Sequence, residues 1–234
     1  REPMRRSRLA EPIVAVALVY AATLAMLPPG GLWIVDNGNK RIQVEALLAS
    51  GFRDFSLAWP GQELDPELAF NPLPVPFSVV REGRLYSVFS PVFPALSVLP
   101  FRALGDAGLC LLPLLATLML LASVGRIAAL AELPQRGRTL AILIAGLATP
   151  LWFYAVVFWE HAVAASLCVG SVALALGFLE HGSRRQLWLS GLVLALAAAL
   201  RDSLLLFAPV LGALVLFATK ANRWRTGSIF AAGL

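Results

Sequence analysis

Long uncharged apolar stretches recur along this chain of 234 residues, with only short charged segments between them, and that spacing constrains the fold more than any single motif. The stretches are Pro12 to Val35, Leu85 to Phe101, Ala107 to Gly125, Thr139 to Trp159, His161 to Leu179, Gln186 to Leu200 and Ser203 to Thr219. A helix crossing a bilayer needs about 20 such residues, fewer where flanking Arg or Trp reach the interface. Composition agrees: 59% of residues are hydrophobic and 14% charged, where soluble domains carry about 45–50% and about 25%. That balance excludes a soluble domain, a disordered tail and a secreted disulfide scaffold. Cys110 and Cys168 lie far apart in apolar runs without a C-x-x-C spacing, so both read as small core residues.

The net charge of +5 does not point to nucleic acid, because the bases cluster between apolar runs rather than along one face interleaved with aromatics. It points to membrane topology. The first stretch follows Arg5, Arg6 and Arg8 but is too long for a signal-peptide core, so it is kept as a span. Leu85 to Phe101 carries Pro91, Pro94 and Pro100, each of which removes a backbone donor. If it does not cross, the short inner segments hold twelve bases, against Arg201 alone in the short outer turns; if it crosses, eight of those bases move outside. The positive-inside bias therefore makes it a surface or partly inserted helix on the outer side.

The expected architecture is an all-α polytopic bundle of about six transmembrane helices with part of a seventh in Thr226 to Leu234. The first extracytoplasmic loop, residues 31–106, is large and carries interfacial helices. Residues 1–234 form a single transmembrane domain in this reading, the N-terminus is cytoplasmic, and the chain, which begins with Arg rather than Met, is expected to be part of a longer one. Within the loop, Asn37 to Ser50 has Val44, Leu47 and Leu48 on one face and is closed by Gly51, the pattern of a helix lying in the interface. Trp59-Pro60-Gly61 through Pro76 is too rich in proline for a helix or a central strand and reads as ordered loop.

Polar groups at span ends are the informative ones in so apolar a chain, because an ionisable group near hydrocarbon is costly and usually faces a cavity. Four places share the outer side in this topology: Asp36 after the first span, Lys40 and Arg41 one turn on, Glu160 and His161 after Trp159, and Arg201-Asp202. Each also has a duller account. Asp36 or Asn37 suits a helix cap, Glu160 and His161 suit an interfacial turn anchored by Trp159, and Arg201 with Asp202 suits a local ion pair. Asp65, Glu63 and Glu67 read as a solvated acidic run, and His181 sits beside Arg184 and Arg185; neither group is given a role. Convergence on one side favours chemistry. A carboxylate there can act as general base on an acceptor hydroxyl or amine, and a cation such as Arg201 can hold a leaving phosphate.

One span, then Leu32-Trp33-Ile34-Val35-Asp36-Asn37-Gly38-Asn39-Lys40, then an interfacial helix and a long outer loop resembles the C-type (GT-C) integral-membrane glycosyltransferases. Tyr86-Ser87-Val88-Phe89-Ser90-Pro91-Val92-Phe93-Pro94 resembles the aromatic, proline-containing segment before the second span in bacterial members and in protein O-mannosyltransferases. Ala148 to Tyr154, Trp159-Glu160-His161 and Leu200-Arg201-Asp202 are also similar to segments of bacterial members. The resemblance implies a polyprenyl-phosphate sugar donor bound from within the bilayer, an envelope acceptor reaching the outer face of a bacterial inner membrane, and inversion at the sugar. It implies that Asp36 is the catalytic base. Glu160 and His161 would orient the acceptor or share its proton, Lys40 and Arg201 would bind donor phosphate, and Arg41, Asp202 and Tyr86 would support the site. Ser90-Pro91 stands where many members double the proline, and no second loop carboxylate adjoins Asp36, so no metal or other cofactor is assigned, although Glu160 would be the residue to complete a metal site. The rival expectations are a lipid-linked-sugar flippase or other transporter without catalysis, and a structural assembly subunit.

Overall fold

Ser7–Met26 (α1) is a helix of 20 residues, and at 1.5 Å per residue it is about 30 Å long, the thickness of a bilayer's hydrocarbon core. It continues through Pro12 and stops just before Pro28, because a residue preceding proline is pushed out of helical conformation. The computed structural model describes residues 7–28, 34–57, 61–70, 77–219 and 223–234. Trp33 and most of the proline-rich stretches at 58–60 and 71–76 therefore lie outside the described residues, as do Arg5, Arg6 and Lys220.

The described residues are mostly helical, 74% helix and 4% strand, and the chain forms two compact units, residues 28–112 and residues 1–27 with 113–234. Residues 31–106, expected as one long loop, fall within the first of these.

In that unit the segment expected from Asn37 is a helix, Val35–Ser50 (α2). Gly51 ends it at φ +59°, a left-handed turn that glycine adopts without a Cβ penalty, and its N–H closes on Leu47 and Leu48 carbonyls. Ser78–Arg81 (β1) and Arg84–Ser87 (β2) then pair antiparallel, Val79 opposite Tyr86 and Val80 opposite Leu85. Glu82 and Gly83 both take positive φ, the geometry of a two-residue hairpin turn whose twist matches the strands. The stretch expected to be helical from Leu85 is thus strand first. Its helix, Val92–Leu104 (α3), begins after Ser90-Pro91, where proline's fixed φ and missing donor suit a helix entry, and α2 packs against it. Gly105, at φ +59°, turns the chain into the short helix Asp106–Leu109 (α4).

The other unit contains α1 and the helices Leu111–Leu130 (α5, its first residues aside), Gln135–Leu147 (α6), Leu151–Val156 (α7), His161–His181 (α8), Arg184–Leu200 (α9), Phe207–Ala218 (α10) and Arg223–Ala231 (α11). Among the described residues three helical stretches are long and apolar enough to cross a membrane: Leu9–Met26, Asp106–Leu130 and His161–His181. The other three expected spans form shorter helices. Thr139 to Trp159 is divided into α6 and α7 because Pro150 has no N–H to continue the ladder, and the Thr149 hydroxyl donates back to the Ala145 carbonyl while accepting the Leu151 N–H. Gln186 to Leu200 falls in α9, of 17 residues, and Ser203 to Thr219 is a 3-10 turn over Asp202–Leu206 followed by α10.

Among the described residues, buried apolar side chains form clusters in this unit. Val16 and Tyr20 of α1 pack with Leu120, Leu121, Ile142 and residues 155–157, and the buried Tyr20 hydroxyl donates to the Gly146 carbonyl at 2.6 Å. Ala175, Leu187, Leu194, Leu211, Val215 and Phe230 form another. Between α8 and α9 the buried Ser171 and Ser190 hydroxyls each donate to the other's backbone carbonyl, both at 2.8 Å, so no polar atom of the pair is stranded. Large apolar side chains such as Leu18, Met119, Val210 and Phe217 point outward uncovered, as the outer face of a helix does when its solvent is lipid.

Candidate functional site

Asp36 lies in the first turn of α2 but does not cap it; Ile34 is the extended N-cap residue and makes no side-chain cap bond. The carboxylate instead takes the Lys40 ammonium, Nζ to Oδ2 at 2.6 Å, from one turn along the helix. Lys40 is almost wholly enclosed, 2% exposed, while Asp36 retains 19%. The Lys40 ammonium also lies 4.7 Å from the centre of the Phe89 ring, whose negative face favours a cation. The second carboxylate oxygen, Oδ1, is buried and has no hydrogen-bond partner among the described residues.

Asn37, Asn39 and Gln43 are buried along the same helix, an unusual density of polar side chains for one helical stretch. The Asn39 amide donates to Ser87 Oγ at 3.3 Å, and that hydroxyl accepts the Phe89 N–H at 3.2 Å, so the segment after the hairpin is tied to the helix that carries Asp36. Arg41 donates through Nε to Asp106 Oδ1 at 2.6 Å and pairs with Glu45 at 3.0 Å. Its hydrogen bond to Asp106 raises the guanidinium pKa above its ordinary value. Arg41 thereby links α2 to α4, a supporting position. Tyr86 sits on β2 opposite Val79; its neighbour Ser87 is the residue that meets α2.

In the other unit, Glu160, His161 and Arg201 come together. Glu160 is buried just before α8, its Oε1 3.8 Å from His161 Nδ1. Arg201 follows the last residue of α9, in extended conformation, and its Nη1 meets His161 Nε2. The imidazole stacks on Tyr154, ring centres 4.8 Å apart and planes 10° from parallel, and Trp159 lies 4.2 Å from it at a tilt. Trp159, expected as an interfacial anchor, is therefore also a wall of this cluster; its indole N–H is buried without an acceptor among the described residues. Arg201 pairs with His161, and Asp202 Oδ1 accepts the Ser203 N–H at the start of the 3-10 turn.

Two local roles were not legible in advance. Asp65, expected to be solvated with Glu63 and Glu67, is buried, and its two oxygens accept the Ala69 and Phe70 N–H groups, each at 2.8 Å. The signal was an Asp directly before Pro66, a common turn opener. The hairpin was signalled by Glu82-Gly83 between Val79-Val80 and Leu85-Tyr86. Among the described residues no group of three His, Cys, Asp or Glu side chains is placed to hold a metal ion.

Compared with protein-family models, curated protein sequences and solved structures, the chain matches none.

Proposed function

We propose that the chain belongs to a membrane glycosyltransferase that moves a sugar from a polyprenyl-phosphate carrier to an extracytoplasmic cell-envelope acceptor, with Asp36 as general base. The supporting observation is the asymmetry of the Asp36 carboxylate. Oδ2 is held by the Lys40 ammonium, while Oδ1 is an acceptor without a donor among the described residues. An acceptor hydroxyl can donate to Oδ1. Its proton passes to Oδ1 as its oxygen bonds to the anomeric carbon, the bond from that carbon to the phosphate oxygen breaks, and polyprenyl phosphate leaves with the electron pair. One displacement of this kind inverts the sugar. Lys40, enclosed against Asp36 and Phe89, fixes the base.

The same reading places the chain in a bacterial inner membrane, with six spans, the N-terminus inside and the 31–106 loop outside. Turnover of a panel of radiolabelled polyprenyl-phosphate sugars by the full-length protein in nanodiscs, wild type beside Asp36→Asn, tests it. A loss on the order of 10²–10⁴ in turnover with donor binding kept is the expected result. Full activity in Asp36→Asn removes the mechanism, and donor binding without turnover in either protein favours a carrier for lipid-linked sugars.

A further inference from the structure

Arginine has five N–H donors and no acceptor, so a nitrogen that meets its guanidinium at hydrogen-bond distance must bring a lone pair. His161 Nε2 is such a nitrogen, against Arg201 Nη1. That contact is a hydrogen bond when the imidazole is neutral and carries its proton on Nδ1, the side facing Glu160 Oε1 at 3.8 Å, where a carboxylate favours a proton electrostatically. Tyr154 stacked on one face and Trp159 tilted against the ring hold its plane. Arg201 itself sits in extended backbone between α9 and a 3-10 turn, and among the described residues no other side chain takes a hydrogen bond from it.

We propose that His161, in its Nδ1–H tautomer, is the positioning residue for Arg201: it takes one guanidinium N–H and fixes the plane of the fork, so that a parallel pair of the others meets a phosphate group. His161 then serves as a fixed acceptor and carries no proton during transfer. This rests on the reading of Arg201 as the phosphate-binding cation. A guanidinium on a flexible stem loses rotamer freedom when it binds an anion, and a partner that orders it beforehand lowers that cost.

In the [15N]histidine-labelled full-length protein in nanodiscs the His161 signals are assigned as those lost in His161→Gln, and those of His181 by His181→Gln. At neutral pH the expected His161 spectrum has a protonated Nδ1 and a bare Nε2, and Arg201→Leu moves the proton toward Nε2. A proton on Nε2 in the wild type, or a tautomer indifferent to Arg201→Leu, overturns the proposal. Binding is measured with undecaprenyl phosphate and, in parallel, inorganic phosphate. His161→Phe keeps a ring against Tyr154 but offers no lone pair, and is expected to bind about tenfold more weakly, the size of one charge-assisted hydrogen bond. His161→Gln, whose side-chain oxygen can accept, is expected to restore most of the affinity. The same ranking with inorganic phosphate assigns recognition to the phosphate group itself, and a ranking confined to undecaprenyl phosphate assigns it to the lipid-linked form. Equal binding by all three proteins overturns the positioning role. If that happens while Asp36→Asn is inactive, the transferase reading survives alone; if Asp36→Asn is fully active, that reading falls and the tautomer and phosphate results stand by themselves.

Discussion

Lys40 is the side chain whose burial is hardest to account for by packing alone. An ammonium taken out of water loses several kcal/mol of hydration, offset here by the Asp36 carboxylate at 2.6 Å and the Phe89 ring. Lys40→Met fills the same space but leaves a largely enclosed carboxylate without its cation, and is expected to lower stability by about 3 kcal/mol. Thermal unfolding in detergent measures it, and adding Asp36→Asn to Lys40→Met is expected to recover most of the loss; an unchanged midpoint in the single variant would show that the pair is not stabilising. Asp54 shows how local bonding changes a titration. The Ser56 N–H at 2.9 Å, assisted by Arg84 at 3.0 Å, holds its carboxyl below the usual carboxylate pKa. Because the folded pKa is the lower one, the contribution is present at neutral pH and disappears as pH falls through that depressed value. The Ser56 amide shift is expected to stay constant as pH falls from 7 and to move only at a pH lower than that at which an unperturbed Asp carboxyl titrates.

Helix contacts are set by where side chains are missing. At Gly191 an added Cβ would lie 2.3 Å from the Phe230 carbonyl oxygen, so α9 and α11 meet backbone to backbone there. At Gly146 it would lie 2.8 Å from a Val16 methyl, between α6 and α1. Both Val16 methyls stand at that point, at 2.8 and 3.1 Å, and a helical valine is stiff at χ1, but the clash with the carbonyl at Gly191 is the deeper one. Gly191→Ala is therefore expected near the upper end of the about 1–3 kcal/mol usual for overpacking, and Gly146→Ala near the lower end. Unfolding midpoints of the two variants in one detergent give the comparison, and the reverse order would mean that α11 yields more readily than Val16. The same scale explains why the apolar stretch from Thr139 to Trp159 is two helices: Pro150 breaks the backbone ladder although hydropathy is continuous across it.

Among the described residues, three helical stretches long and apolar enough to cross a bilayer coexist with shorter apolar helices, and residues 28–112 form a compact unit. The proposed topology assigns opposite sides to that unit and to the segment between α5 and α6. Arg53 and Arg136 are both exposed, and the native Cys110 and Cys168 are each partly covered within apolar sequence. Arg53→Cys is expected to react with an impermeant maleimide in intact spheroplasts, and Arg136→Cys only after the membrane is opened. The opposite pattern would invert the topology and move Asp36 to the cytoplasmic face.

What the amino-acid order determined alone was whatever depends on neighbours in the chain: the helical class, the long apolar helices, the α2 helix closed by Gly51, and the polar residues that stand beside it. Those follow from composition and from periods of a few residues, which act locally. Tertiary structure decided the partners. Asn39 shows no partner in the sequence until it is found on Ser87, 48 positions away; Arg201 looks paired with its neighbour Asp202 until it is found on His161, 40 positions away; and Asp65 looks solvated until it is found buried. A hydrogen bond is chosen by distance and direction in space, and the competing partners of a charged group differ little in sequence terms, so only the packed chain selects among them.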